Sequence, residues 1–361
     1  MMKLSKMNND VMIRFSNLTK KFKDFYAVSN IDLEIRKGEI VGFLGPNGAG
    51  KSTTMKMLAY LLKPSEGEIW IRSNGELKKL SSHNKDYLLD NIGFLIENPT
   101  FYGNVTPRLV LKYFAKLKGY PRKQVNKRVE EVIAIFGMSD WIDKKIKTFS
   151  KGMRQKIGVA SAIMHDPDIV VLDEPSTGLD PQARREVRDL ILKLKKIGKT
   201  IFLSSHLLYE VSEVADRVAI INNGKLIAFD TLDNLEAKAK KSIIHFELIR
   251  QPEENIENML KNIEEIVTPL TGISTELNWV DYNEDSKVFQ IFFNGHPENQ
   301  LNILETLLKN RYKIIEFSVP KAGLLENLFL EMVNPEGNHD FNNNSQNNLN
   351  NLEKELIMEV Q

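Results

Sequence analysis

Residues 39–63 read EIVGFLGPNGAGKSTTMKMLAYLLK. An apolar run, a glycine-rich turn and a helical pattern follow one another. Gly45, Pro46, Asn47, Gly48, Ala49, Gly50, Lys51, Ser52 and Thr53 match G-x-x-x-x-G-K-[ST] in full. The run before them reads as a strand and the pattern after them as a helix, which is the context the motif requires. Its glycines let backbone N–H groups wrap phosphate oxygens. Lys51 would reach the β- and γ-phosphates of a nucleoside triphosphate, and the Ser52 hydroxyl would ligate Mg²⁺. The competing reading is a glycine-rich turn with an incidental lysine, and the flanking strand and helix argue against it.

The pattern extends outward. Between about Val11 and Ala239, short runs such as "DIVVLDEP", "KTIFLSSH" and "RVAIINNG" alternate with helical patterns. Such runs predict buried parallel strands in an α/β sheet. In "DIVVLDEPSTGLD", residues 168–180, four apolar residues end in two acids. Asp173 sits where a carboxylate can hold the Mg²⁺ shell. Glu174 follows, on the opposite side of the chain by strand alternation, and is the candidate to polarise an attacking water. Alone, the pair would read as a charged strand end capped by a turn at Pro175; the upstream phosphate motif reverses that preference. His206 ends "TIFLSSH", a strand expected beside that of Asp173. Its imidazole either reaches a γ-phosphate or is structural.

A stretch of different texture interrupts the sheet. "TPRLVLKYFAKLKGY" and "QVNKRVEEVIAIFGM" are amphipathic helices with no strand between them. They predict a helical subdomain, about 106–165, inserted into the α/β domain. Near its end lies "FSKGMRQKIG", residues 149–158. Ser150 can cap a helix, Gly152 gives the backbone room, and Arg154 and Lys156 add positive charge. That combination favours an anion. No acidic metal ligand or nucleophile stands beside it, so as an anion site it is incomplete.

From Ser242 onward the order reads strand, helix, strand, strand, helix, strand: "SIIHFELI", "ENIENMLKNIEEI", "ELNWV", "KVFQIFF", "QLNILETLLKN", "YKIIEFSV". This βαββαβ order predicts a small α+β ferredoxin-like domain over 241–333. A last helical pattern, "AGLLENLFLEMV", closes it. Nine of the eighteen residues 334–351 are asparagine, which reads as a disordered tail over 334–361. Its end, "LEKELIMEVQ", is a frayed helical end or a docking helix.

At this point the sequence resembles the nucleotide-binding domains of ABC transporters, over about residues 11–240. Gly45–Thr53 resembles Walker A, and 169–174 Walker B. "TGLD" with Asp180 resembles the D-loop, His206 the switch histidine, and "FSKGMRQ" the signature usually written L-S-G-G-Q. In "LTKKFKDFYAVSNIDLEIRKGEI", Phe22 takes the place of the aromatic that stacks on adenine, with Tyr26 in reserve. The resemblance implies a P-loop NTPase fold of ABC type, ATP and Mg²⁺ as cofactors, and ATP hydrolysis. It implies two domains paired head to tail, each ATP lying on one P-loop and under the other chain's signature. Ser150 and Gly152 would then hold the γ-phosphate of the partner's ATP, which accounts for the incomplete anion site.

Two positions depart from the family pattern. Lys151 replaces the signature's first glycine, and Glu97, in "GFLIENPTFYGNVT", replaces a glutamine that normally contacts Mg²⁺ and the water. A carboxylate can still ligate Mg²⁺ but donates no hydrogen bond unless protonated. Both replacements resemble those of bacterial exporters of antibiotics and lantibiotic peptides. The resemblance therefore implies an export ATPase with two partners, a second nucleotide-binding subunit (the same or different) and an integral membrane permease. Phe101 and Tyr102, just past Glu97, are either groove residues for that permease or core aromatics.

Composition agrees. The 361 residues suffice for two domains, 42% hydrophobic and 27% charged residues are ordinary for a globular protein, and a net charge of +1 argues against nucleic acid as partner. With no cysteine, thiolate catalysis and disulfides drop out. No apolar stretch reaches the ~18–20 residues needed to span a bilayer, and "MMKLSKMNNDVMIRF" lacks a signal-peptide core. The expected location is cytoplasmic, peripheral at the inner face of the membrane. Two rival readings fit less well. A soluble ATPase of ribosomes or DNA would need a second P-loop or a long coiled coil. A regulatory ATP sensor conflicts with intact Lys51, Ser52, Glu174 and His206.

Overall fold

Strand β3 (Ile40–Leu44) is buried along its whole length, as a five-residue apolar run in the middle of a sheet must be. The computed structural model describes residues 10–96, 99–238, 242–249, 255–272, 280–283 and 287–319. They fall into two compact units divided between Leu235 and Glu236.

In the first unit, β1 (Val11–Phe22) and β2 (Phe25–Arg36) form a long antiparallel hairpin. β1 also pairs with β4 (Glu66–Ser73), which pairs with β5 (Glu76–Lys79). β3 leads through residues 45–50 into α1 (Lys51–Leu58). Helix α2 (Lys85–Leu89) precedes β6 (Ile92–Leu95). After the helical insert come β7 (Ile169–Leu172), α6 (Pro181–Lys196), β8 (Thr200–Ser205), α7 (Leu208–Ser212), β9 (Arg217–Asn222), β10 (Lys225–Thr231) and α8 (Leu232–Lys238). The second sheet runs β10-β9-β3-β8-β7-β6, parallel except at β10. Helices linking its strands make this the expected α/β arrangement. Phe202 of β8 joins the two sheets, 6.0 Å from the Phe15 ring and 5.4 Å from that of Phe43.

The insert comprises α3 (Pro107–Leu117), α4 (Val125–Phe136) and α5 (Lys151–Ala162). Thr106 caps α3 by accepting from Leu109 N, and Gly137 ends α4 at φ +60°, where glycine carries no Cβ penalty. Val110, Ile146, Phe149 and Ile157 form a small core of their own with Phe101, Phe114 and Trp141. Glycines seat α5 on the sheet. A Cβ at Gly93 would lie 2.2 Å from Ala162 O, and one at Gly158 would strike Pro99. At the far end of α5, Arg128 of α4 donates to the carbonyls of Ile163 and Met164.

In the second unit, β11 (Ser242–Leu248), α9 (Ile256–Val267), β12 (Val280–Asn283), β13 (Val288–Phe293), α10 (Pro297–Lys309) and β14 (Ile314–Ser318) follow in order. The sheet is antiparallel in the order β12-β13-β11-β14, the split βαβ topology expected from the element order. Ile263, Val267, Ile303 and Leu307 of the helices pack on Phe246, Phe289, Ile291 and Phe293. Of the expected strand "ELNWV", residues 276–279 lie outside the described residues, and its last residue, Val280, opens the described part of β12. The Tyr282 ring lies 4.7 Å from that of Phe289 across the pair with β13. The helical pattern "AGLLENLFLEMV" and the asparagine-rich tail lie outside the described residues, as does Glu97.

Candidate nucleotide-binding site

The phosphate loop is held open by its glycines. A Cβ at Gly45 would lie 2.4 Å from Ile221 O, and one at Gly50 would lie 2.4 Å from Ala27 O. Gly50 also adopts φ +109°, which L side chains rarely tolerate. Helix α1 starts there with no side-chain cap and no acid in its first turn. Its N–H groups and dipole therefore face the loop concavity unopposed, the arrangement that binds phosphate. Lys51 is only 5% exposed. Its ammonium donates to Gly45 O at 2.6 Å and Pro46 O at 3.1 Å.

The two acids follow β7. Asp173 N donates to Leu95 O, extending the pairing with β6. Asp173 is buried, and its Oδ1 accepts from Ser204 Oγ at 2.6 Å. The same hydroxyl accepts from Glu174 N at 2.9 Å. Strand alternation does not carry on to Glu174, because its φ is +46°. A left-handed bend, costing about 1–2 kcal/mol for an L-residue, swings the carboxylate round towards the loop. There Oε1 pairs with Lys51 Nζ at 3.2 Å. Oε2 accepts from Thr177 Oγ1 at 2.8 Å and lies 2.8 Å from His206 Nδ1. Burial pushes the Glu174 carboxyl up, but hydrogen bonds from His206 and Thr177 and the Lys51 charge outweigh it, leaving the group below its usual range. It stays an acceptor near neutral pH.

His206 sits one residue beyond β8, which lies beside β7 in parallel register, Leu172 opposite Leu203. That register brings the imidazole to the acids. Among the described residues no three metal-ligating side chains cluster. The hard oxygens of Ser52 and Asp173 suit Mg²⁺, which takes most of its shell from phosphates and water. At the tip of the β1–β2 hairpin, Phe22 and Tyr26 are both about half exposed, at 47% and 46%. Lys20 lies over the first ring and Lys21 over the second. Ala27, next to Tyr26, is the residue against Gly50, so the hairpin borders the phosphate loop.

The signature segment stands apart. Ser150 caps α5 by accepting from Met153 N at 3.2 Å. Gly152 is buried so closely that a Cβ there would lie 2.6 Å from Ala183 Cβ of α6. Asp180 caps α6 through Ala183 N. Lys151, Ser150 and Asp180 are exposed. The two cations read as anion partners are engaged elsewhere: Arg154 with Phe149 O, and Lys156 with Glu186. Lys151 turns away from the helix start. Its ammonium end would lie 2.3 Å from a Cβ on Gly178, so the side chain runs along the 176–180 loop of its own chain.

The family model described as ABC transporter matches residues 28–177. The chain is 33% identical over 324 residues to an uncharacterised ABC transporter ATP-binding protein, YhcH, of Bacillus subtilis, covering 89% of this chain and 96% of that protein. The chain belongs to the ABC transporter ATP-binding proteins. It is also 39% identical over 241 residues to the bacitracin transport ATP-binding protein BcrA of Bacillus licheniformis, covering 66% of this chain and 76% of that one. A dimeric ATP-binding cassette solved in a post-hydrolysis state with ADP and phosphate matches with TM-score 0.54 and 25% identity, over 61% of this chain and 98% of that one.

As an ABC transporter ATP-binding protein, the chain is an ATP-hydrolysing transport subunit rather than a free-standing sensor. Family membership also implies pairing of cassettes and a membrane permease. Among the described residues no helix is long and apolar enough to cross a membrane. Two residues of this ABC site escaped the sequence reading, Ser204 and Thr177. Ser204 was within reach of it. Adjacent parallel strands ending in "VLDE" and "FLSSH" put a hydroxyl opposite Asp173. Thr177 was not, because its contact depends on the bend at Glu174.

Proposed function

We propose that two copies of this cassette, or this one and a different one, close around two ATP–Mg²⁺ and that hydrolysis reopens them. The motion drives export through a separate membrane permease. The observation that carries this reading is the convergence of Lys51, Glu174 and His206 within 3.2 Å on one open phosphate loop. In it, residues 45–53 cradle the phosphates and Lys51 draws charge from the β- and γ-phosphates. Ser52, Asp173 and Glu97 would hold Mg²⁺, which neutralises phosphate charge when bound. Glu174 accepts a proton from the attacking water, and His206 orients that carboxylate and faces the γ-phosphate. Phe22 stacks on adenine. Ser150, Gly152 and Asp180 serve the partner's nucleotide.

The relatives bear on the cargo. BcrA is a bacitracin transport protein, so a peptide antibiotic is the first cargo to test, ahead of drugs and lipids. The 87%-exposed Tyr102 suits contact with the permease, and Phe101 belongs to the insert's core. On this reading the chain works at the cytoplasmic face of the membrane. The test is light scattering on Glu174→Gln. A monomer without nucleotide and a dimer with ATP–Mg²⁺ are expected; a monomer in both, even with the permease and any second cassette of the transporter present, would refute the shared site.

A further inference from the structure

Arg184 lies on the second turn of α6 and takes no part in the roles above. Its Nε donates to Leu179 O at 2.8 Å, within the 176–180 loop, and its Nη1 donates to Tyr209 OH at 3.1 Å. Tyr209 belongs to α7, three residues past His206. The neighbouring Glu210 has its Oε1 only 3.9 Å from Arg184 Nε, yet that oxygen is buried without a hydrogen-bond partner. Its other oxygen accepts from Ser205 Oγ at 3.2 Å. Ser205 in turn accepts from Gly45 N of the phosphate loop through its carbonyl. A cavity of about 220 Å³ beside these groups, lined by Arg184, Tyr209, Glu210 and Leu203 among others, gives the guanidinium room to move.

A closed circuit results. Glu174 holds Thr177, the loop continues to Leu179, Arg184 grips Leu179 and Tyr209, and α7 leads back to His206 and Glu174. Arg184 also has two acceptors for one Nε, Leu179 O now and the orphaned Glu210 Oε1 close by. A buried acceptor left unpaired is costly, so the second position is favoured once the loop releases Nε. We infer that Arg184 is a positioning residue that couples the 176–180 loop to His206 through Tyr209 and Glu210. This rests on the proposed shared site, in which that loop faces the partner. A shift of the loop on pairing then resets the imidazole that orients Glu174.

The test is steady-state ATPase of the full chain for Arg184→Ala, Tyr209→Phe and the double variant, with melting temperature measured alongside. Each single variant should lower kcat roughly five- to tenfold with ATP KM within about twofold, the size of typical coupling through a packed network. The double variant should lose no more than Arg184→Ala, because the two act as one unit. Arg184→Lys should not rescue, since a lone ammonium cannot span both acceptors. Unchanged kcat, losses that multiply, rescue by lysine, or a fall in melting temperature and KM that tracks kcat would each overturn the coupling. Glu174→Gln combined with Tyr209→Phe should still dimerise with ATP–Mg²⁺. If Glu174→Gln alone fails to pair, even with any second cassette of the transporter supplied, the shared-site reading has failed instead.

Discussion

The phosphate-loop end and the signature end of the first unit are built on opposite plans. At the phosphate loop every charge is answered within the chain. Lys51 is buried with three acceptors, and Glu174 has three donors. At the signature, Ser150 serves its own helix alone, Lys151 is exposed, and Asp180 holds one N–H of α6. Buried charge needs partners in the same chain; an exposed helix start with free N–H groups can wait for a ligand carried by another. On the proposed shared-site reading, the first end is a half-site completed within the chain and the second is its complement.

The sharpest way to break that contrast is to disable the two ends separately. Glu174→Gln keeps the shape of the side chain but removes the base. Turnover should fall about 10³-fold, within the range for losing a general base, with ATP binding retained. Residual turnover near that of the wild type would remove Glu174 from the chemistry.

Next comes complementation. Lys51→Ala removes the phosphate cation, and Ser150→Arg blocks the signature of an otherwise intact chain. Each alone should lose ATPase about 100-fold. Mixed one to one, they should recover about a quarter of wild-type activity if chains pair at random, since half the dimers then carry one sound site. No recovery would mean that each nucleotide is handled within one chain.

A smaller effect separates the two ends of α5. His165, just past that helix, has Nε2 3.3 Å from Ile92 O and a buried, unpartnered Nδ1. Burial holds its pKa down to about 4. The unfolded chain therefore binds a proton that the folded chain refuses between about pH 6.5 and 4. Stability should drop as pH falls through that window, by about 3 kcal/mol in all. His165→Gln should flatten that drop in chemical denaturation curves. Because the carbonyls at this end of α5 are held by Arg128 of the same chain, the slope should be the same with and without ATP.

How much could be read beforehand follows the same division. The loop, both acids and His206 were legible because each lies where a short buried strand ends, and strand ends are marked by a change from apolar to polar residues. The register of β7 and β8 was legible in outline for the same reason. The left-handed bend at Glu174 was not, since it depends on Ser204 capturing one backbone N–H. Nor was the course of Lys151, which lies along Gly178 rather than at the helix start. Arg184 carried no signal, because an arginine on an amphipathic helix reads as solvated surface.

The smallest effect asks whether Ser150 is a cap or a ligand. Its hydroxyl holds Met153 N, and removing such a cap costs about 1 kcal/mol. Ser150→Ala should therefore lower stability by that amount in the nucleotide-free chain. If the hydroxyl also meets the partner's nucleotide, turnover should drop further than so small a loss of folding can explain, because a chain stable by several kcal/mol stays folded. Ser150→Asp separates the two roles. Aspartate caps as well as serine does, so stability should return, but a carboxylate facing a phosphate repels it and activity should stay low. Recovery of both would make Ser150 a plain helix cap and leave the signature end without its ligand.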